Sequence, residues 1–310
     1  MSPAPPSNLI ASVRQRLMNL SKKRREDFNL VLTHYGLERL LYRLSRSEHA
    51  SDFVLKGAML FAVWSKEAHR PTRDLDLLSY RDDSVENLAN LFREISQVEV
   101  EPDGLTFDSS TLGVEEIREN QEYQGQRIKL FAYLGNAKIK IQIDVAFGDV
   151  ITPHTEEIEY PTLLDFPSPR IRAYPKESVV SEKLQAMVAL GIPNSRMKDF
   201  HDIWMISKMF KFEGSTLVRA IGVTFDRRRT PIPQTTPAAL SKDFATDREK
   251  MMQWRAFLKR IGLVEQESDL ASVISELRTF LIPPLVAAST GESLNQLWPQ
   301  GGPWSPARNS

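Results

Sequence analysis

Apolar residues recur every three or four positions at the start of the chain: Leu9, Val13, Leu17 and Leu20, then Leu37, Leu40, Leu41 and Leu44. This spacing puts them on one side of a helix, so residues 8–48 are predicted helical. Leu60, Phe61 and Trp64 predict a helix over 52–66, and Val85, Leu88, Leu91, Phe92 and Ile95 an amphipathic helix over 84–96. The period then changes to two. Residues 74–79 read as a strand, and further strands are predicted at 112–118 and 126–134. Lys138-Ile139-Lys140-Ile141-Gln142-Ile143-Asp144-Val145 alternates strictly, with isoleucines on one face and Lys, Lys, Gln and Asp on the other. Five prolines across 150–175 predict loop with short strands. From Pro175 the helical period returns, over 176–191, 195–211, 214–225, 237–263 and 267–289. Thr230-Pro231-Ile232-Pro233 and the tail from Leu297 are breaks, and no internal repeat is found. The expected class is α+β: a mixed β-sheet core flanked by helices, with a mostly helical C-terminal half. The expected division is an N-terminal helical segment at 1–49, a core at 50–175 and a helical domain at 176–310.

Composition narrows the partners. A chain of 310 residues buries a substantial core and is long enough for two domains. Lys+Arg and Asp+Glu are 40 each, so any nucleic-acid contact rests on local basic patches. Lys22-Lys23-Arg24-Arg25 and Arg227-Arg228-Arg229 are two such runs, readable as solvated helix ends or as phosphate contacts. There is no cysteine, which excludes disulfides and thiolate metal sites. No apolar run is expected to span a bilayer, and the proline-rich residues 1–7, expected to be disordered, have no signal-peptide core. The expected setting is the cytoplasm.

The chemistry concentrates around two aspartates one residue apart. Residues i and i+2 of a strand face the same side, so Asp74 and Asp76 point together while Leu75 and Leu77 point into a core. Adjacent like charges repel and favour a cation between them. Asp144 closes the polar face of another strand, and neighbouring strands would bring three carboxylates together. Such a set can hold hard divalent cations, about 3.5–4 Å apart in two-metal sites, for displacement at phosphorus. Alone, Asp74-Leu75-Asp76 reads as a solvated strand end or turn, and it is the combination with Lys56-Gly57-Ala58 upstream and Asp144 downstream that favours a cation site. Gly57 and Ala58, after Lys56, read as helix packing or as a turn whose amides approach a phosphate. Thr72 is either an ordinary turn residue or a hydroxyl beside the cation site. Further on, Lys183, Lys198, Asp199 and Asp202 read as surface ion pairs or as a nucleotide-phosphate group. His201 reads as structural, because no other His or Cys stands at ligand spacing from it.

In order, Leu55-Lys56-Gly57-Ala58, Thr72-Arg73-Asp74-Leu75-Asp76-Leu77-Leu78, Ile143-Asp144-Val145 with Gly148-Asp149, Glu182-Lys183-Leu184 and Arg196-Met197-Lys198-Asp199-Phe200-His201-Asp202-Ile203-Trp204 resemble the motifs of the AbiEii/AbiGii nucleotidyltransferase toxins. These belong to the DNA polymerase β-like nucleotidyltransferase superfamily. Trp254-Arg255-Ala256-Phe257-Leu258 in the helical half also resembles family members. The resemblance implies a nucleotidyltransferase-type mixed sheet, an NTP donor and Mg²⁺ or Mn²⁺. It implies Asp74 and Asp76 as the metal pair and Asp144 as the third carboxylate. It also implies that Lys183 and the Lys198-Asp199 pair complete the nucleotide site; on electrostatic grounds, Lys183 and the helix of Lys198, Asp199 and Asp202 are expected to face the same cleft as the aspartates. On this reading Asp74, Asp76, Asp144, Lys183 and Asp199 are catalytic, while Lys56, Gly57, Ala58, Thr72, Lys183, Lys198 and Asp202 bind nucleotide. Many relatives carry a hydroxyl residue after the glycine, where this chain has Ala58.

The function expected is a metal-dependent toxin of a bacterial toxin–antitoxin or phage-defence system. It would transfer NMP from NTP to RNA, at tRNA 3′ ends, and so block translation. A winged-helix antitoxin encoded nearby is the implied partner, with no membrane association. The alternatives are transfer to a protein hydroxyl or small molecule, and a catalytically silent nucleotide-binding regulator.

Overall fold

The computed structural model describes residues 7–65, 70–81, 84–119, 123–263 and 269–307. The proline-rich start at 1–6 lies outside the described residues, as do the end of the helix expected over 52–66 and the start of the one expected over 267–289. The chain forms two compact units. The first is Met1–Asp149 with Thr155–Tyr174, and the second is Val150–His154 with Pro175–Ser310.

In the first unit, α1 (Ser7–Arg24) and α2 (Phe28–Arg46) occupy the stretch predicted as helical. Asp27 caps α2, its side chain accepting from the Leu30 amide at 3.0 Å. Then come β1 (Phe53–Lys56), α3 (Leu60–Trp64), β2 (Leu75–Ser79), α4 (Val85–Gln97), β3 (Leu105–Glu119), β4 (Tyr123–Leu134), β5 (Ala137–Phe147), β6 (Glu156–Glu159) and β7 (Arg170–Ala173). The strands make one seven-stranded sheet in the order β3-β4-β5-β2-β1-β7-β6. β2–β5 and β1–β7 are parallel and the other pairs antiparallel. The isoleucine face of β5 is the core face: Ile139, Ile141, Ile143 and Val145 are at most 3% exposed, each contributing about 1.5–3 kcal/mol. α2 lies directly on it. A β-carbon at Gly36 would stand 2.6 Å from Ile141 Cδ1, so glycine lets the helix approach that closely.

One expectation is corrected here. Residues 53–56, read as the start of a helix, form a strand at the middle of the sheet. Phe53-Val54-Leu55 is buried throughout, and a short run with no exposed face has no period to distinguish helix from strand.

The second unit is mostly helical: α5 (Lys176–Leu190), α6 (Met197–Met209), β8 (Phe212–Glu213), α7 (Gly214–Arg227), α8 (Lys242–Thr246), α9 (Arg248–Ile261), α10 (Leu270–Thr290), β9 (Gln296–Trp298) and β10 (Ser305–Pro306). The single helix expected over 237–263 is broken. Ser241 and Asp247 each cap a new helix, accepting from the amides of Phe244 (3.1 Å) and Lys250 (2.9 Å). The tail expected as a break also departs from expectation, since β9 and β10 join β8 in a small sheet. Trp298 and Trp304 anchor it, donating to the carbonyls of Ser207 (2.7 Å) and Phe280 (2.9 Å). The expectation that no apolar run could span a bilayer is likewise corrected: α10 is long and apolar enough by length and composition. Its apolar side is spent inside this unit, where Val273, Leu277, Phe280, Leu281 and Leu285 are buried against α6, α7 and α8.

Candidate active site

Strand register builds the site. β2 and β5 are parallel neighbours, and their pairing sets Asp76 opposite Asp144. Register also sets Lys56 opposite Asp76, Arg127 opposite Asp144 and Glu115 opposite Arg127. Directly paired residues share a face. One transverse row, Glu115-Arg127-Asp144-Asp76-Lys56, therefore crosses five strands, with the two aspartates at its centre. Asp74 lies one position ahead of Leu75, where β2 begins, and is half-buried like Asp76, while Leu75 and Leu77 are fully buried. Asp74 thus stands just ahead of the strand expected to begin with it, and Thr72 two residues earlier. The Thr72 hydroxyl points to the Asp74 carbonyl at 3.4 Å, and His34 Nε2 on α2 stands 2.6 Å from the Thr72 carbonyl. Burial lowers the His34 pKa, which favours the neutral ring and an N–H donated to that carbonyl.

Gly57 follows β1 with φ +73°, and a β-carbon there would fall 1.9 Å from Asp76 Oδ2. The missing side chain is what leaves space for the carboxylate. Ala58 is buried. Lys56 donates to Asp149 Oδ2 at 2.9 Å and lies 4.8 Å from the centre of the Tyr174 ring. That bond ties the strand before Gly57 to the turn after β5.

Sequence reasoning missed Arg127. Its Nε and Nη2 donate to Asp144 Oδ1 and Oδ2 at 2.8 and 2.7 Å, a two-pronged charge-assisted pair. The bond to Asp144 is the main reason the Arg127 pKa is raised, and Asp74 adds to it through space. The only signal for Arg127 was its place on the polar face of β4, and facing Asp144 depends on a register the sequence does not display.

Oxygens from Asp74, Asp76 and Asp144 are the donor type a hard divalent cation takes, and the space beside Gly57 keeps the Asp76 carboxylate in place. Asp144 fits with a condition, because both of its oxygens already accept from Arg127. A different cluster, Glu48, His49 and Glu94, has ligand atoms within 4.8 Å of one another. Glu48 and His49 precede β1 and Glu94 lies on α4, whereas Lys56 ends that strand and Gly57 follows it. Glu48 and Glu94 are 86% and 65% exposed, and His49 Nε2 meets Glu94 at 3.2 Å, the geometry of a surface ion pair.

In the second unit, Lys183 of α5 joins two carboxylates of α6, Asp199 Oδ1 at 2.6 Å and Asp202 Oδ2 at 2.9 Å. Arg196 Nε forms an ion pair with Asp199 Oδ2 at 2.9 Å. Asp199 and Asp202 are buried, so this is an internal charge network rather than a surface pair. Lys198 is exposed and stands outside it. His201 is buried among Trp204, Trp254 and Phe257. Of the two basic runs, Lys22 to Arg25 ends α1 in solvent, while Arg228 bonds Glu182 (3.3 Å) and Gln185 (2.9 Å).

A match to the family described as "Nucleotidyl transferase AbiEii toxin, Type IV TA system" runs over residues 39–279. Among solved structures, JHP933 from Helicobacter pylori aligns at 15% identity with a TM-score of 0.46, covering 84% of this chain and 92% of that one. A candidate nucleotidyltransferase from H. pylori aligns with the same identity and score, covering 84% of this chain and 95% of that one. No curated protein matches.

Proposed function

The chain belongs to the AbiEii nucleotidyl transferase toxin family, and from that premise we propose that it transfers a nucleoside monophosphate from an NTP to RNA, at the 3′ end of tRNA. The observation that carries the reading is the in-register Asp76–Asp144 pair, with Asp74 ahead of it and Gly57 leaving the Asp76 carboxylate its space. In the proposed reaction the acceptor hydroxyl oxygen bonds to the α-phosphorus. The α–β bridging bond breaks, pyrophosphate leaves, and the hydroxyl proton passes to a carboxylate of the cluster. Asp74, Asp76 and Asp144 would hold Mg²⁺ or Mn²⁺, which when bound neutralises charge on the phosphates. Lys56, fixed by Asp149, and the turn at Gly57 and Ala58 with Thr72 would meet the nucleotide. On this reading Lys183 would meet the triphosphate, with Asp199 and Asp202 keeping it charged. Lys198, exposed on α6, is the weaker lysine for that role.

Such transfer in the cytoplasm would stop translation, in phage defence or in a toxin–antitoxin pair with a winged-helix antitoxin. The test is to incubate the purified protein with total RNA, Mg²⁺ and each labelled NTP in turn. Label is expected in a tRNA-sized band, and Asp76→Asn should lower it roughly a hundredfold or more. No labelled RNA, or equal labelling by the variant, overturns the reading. Label on protein or on a small molecule moves the acceptor elsewhere.

A further inference from the structure

We infer that Arg127 is a built-in counter-ion that competes with the divalent cation for Asp144, so the chain sets its own threshold for metal. This rests on the reading of Asp74, Asp76 and Asp144 as cation ligands.

The geometry is specific. Arg127 and Asp144 are direct partners on adjacent strands, so the backbone ladder fixes where both side chains start. The guanidinium meets both carboxylate oxygens, at 2.8 and 2.7 Å. A cation at Asp144 meets oxygens that each already give one lone pair, and part of their charge, to Arg127. Arginine cannot lose its proton at any ordinary pH, so its charge opposes a cation at Asp144 for as long as the side chain stays there.

Movement is open to it. The Arg127 and Asp144 side chains are 32% and 21% exposed, so the pair is not sealed in the core. A second carboxylate is within the same row. Glu115 is the partner of Arg127 on its other side, on β3, and its side chain is 53% exposed. Glu115 now accepts from Lys129 at 2.5 Å, an exposed lysine able to turn to solvent. The row thus offers Arg127 two anionic partners: Asp144 when no cation is bound, and Glu115 when Asp144 is taken by one.

The test measures binding of Mn²⁺ alone, by calorimetry or by the electron paramagnetic resonance of the free ion, with folding of each variant checked by its melting curve. Arg127→Gln is expected to bind Mn²⁺ at least about fivefold tighter than wild type, the scale of charge-assisted hydrogen bonds the cation no longer has to displace. Arg127→Lys keeps the charge but loses the two-pronged fit. It is expected to bind more tightly than wild type and less tightly than Arg127→Gln. Added to Asp144→Asn, Arg127→Gln should change affinity no further.

Wild-type affinity in Arg127→Gln overturns the inference. So does wild-type affinity in Arg127→Lys, which would leave only a through-space charge effect. Asp76→Asn separates the two layers of argument. If it abolishes Mn²⁺ binding while Arg127→Gln binds as wild type does, only the role of Arg127 fails. If it binds as wild type does, the carboxylate site itself fails, and the role of Arg127 with it.

Discussion

At Gly57 a β-carbon would overlap the Asp76 carboxylate, and φ is +73°. Gly57→Ala therefore faces two costs at once, a backbone conformation that L residues avoid and a displaced aspartate. The expected result is a stability loss of about 1–3 kcal/mol in urea melts, with transfer reduced as far as in Asp76→Asn. Normal labelling by this variant would show that the carboxylate has room to move. Glu38, buried on α2, is a second residue with a measurable signature. Burial raises its pKa from 4.5 to about 7, opposed by the Leu163 amide it accepts from at 2.7 Å. A carboxyl whose pKa is higher in the fold than in the unfolded chain stabilises the fold fully below about pH 4.5, and this is lost as pH rises through about 7. Wild type should lose stability between pH 5 and 8 relative to Glu38→Gln, and parallel pH profiles would refute this. The two residues also mark what a sequence discloses. Asp74, Asp76 and Asp144 stand out because charge interrupts an apolar alternation. Glu38 sits amid Leu37, Leu40 and Leu41 and looks like any helix-surface acid until the loop holding Leu163 is seen to cover it.

Among elements, the pair α5 and α6 has a claim of its own. Lys183 lies between two buried carboxylates, and taking a cation from such a network typically costs about 3–5 kcal/mol. Lys183→Ala should therefore lower the melting temperature as well as NTP binding, so loss of transfer alone would not prove a phosphate contact. Two measurements divide the roles. The stability losses of Lys183→Ala and Asp202→Asn should add to less than their sum in the double variant, and additive losses would rule out the coupling. NTP affinity measured well below the melting transition reports the phosphate role separately. The spacing of Asp199 and Asp202 on one face of α6 was readable from the sequence, yet it suggested a surface pair, because their burial depends on packing between helices. The strands divide in the same way. β5 declared itself by strict alternation, while β1 had no polar face to reveal it. β9 and β10 are held by tryptophan contacts with α6 and α10, which no local pattern encodes.

For the whole molecule, equal numbers of acidic and basic residues gave no sign of a nucleic-acid partner, and the ordered motifs identified the family where composition could not. The family match, residues 39–279, takes in parts of both compact units. Their division along the chain has no counterpart in the spacing of its motifs. Val150–His154 belongs with the second unit although Thr155–Tyr174 returns to the first. The short visit is fastened: the Thr152 amide donates to Ser178 Oγ at 2.9 Å, and that hydroxyl donates back to the Thr152 carbonyl at 3.0 Å. In genetic terms, no single crossover can exchange one unit between related genes. A joint after Tyr174 would transfer the helical unit without Val150–His154, whose Thr152 is bonded to its first helix, so a working chimaera needs a second joint upstream. The two units are therefore expected to be inherited together, with fewer mosaic relatives than two end-to-end modules would produce.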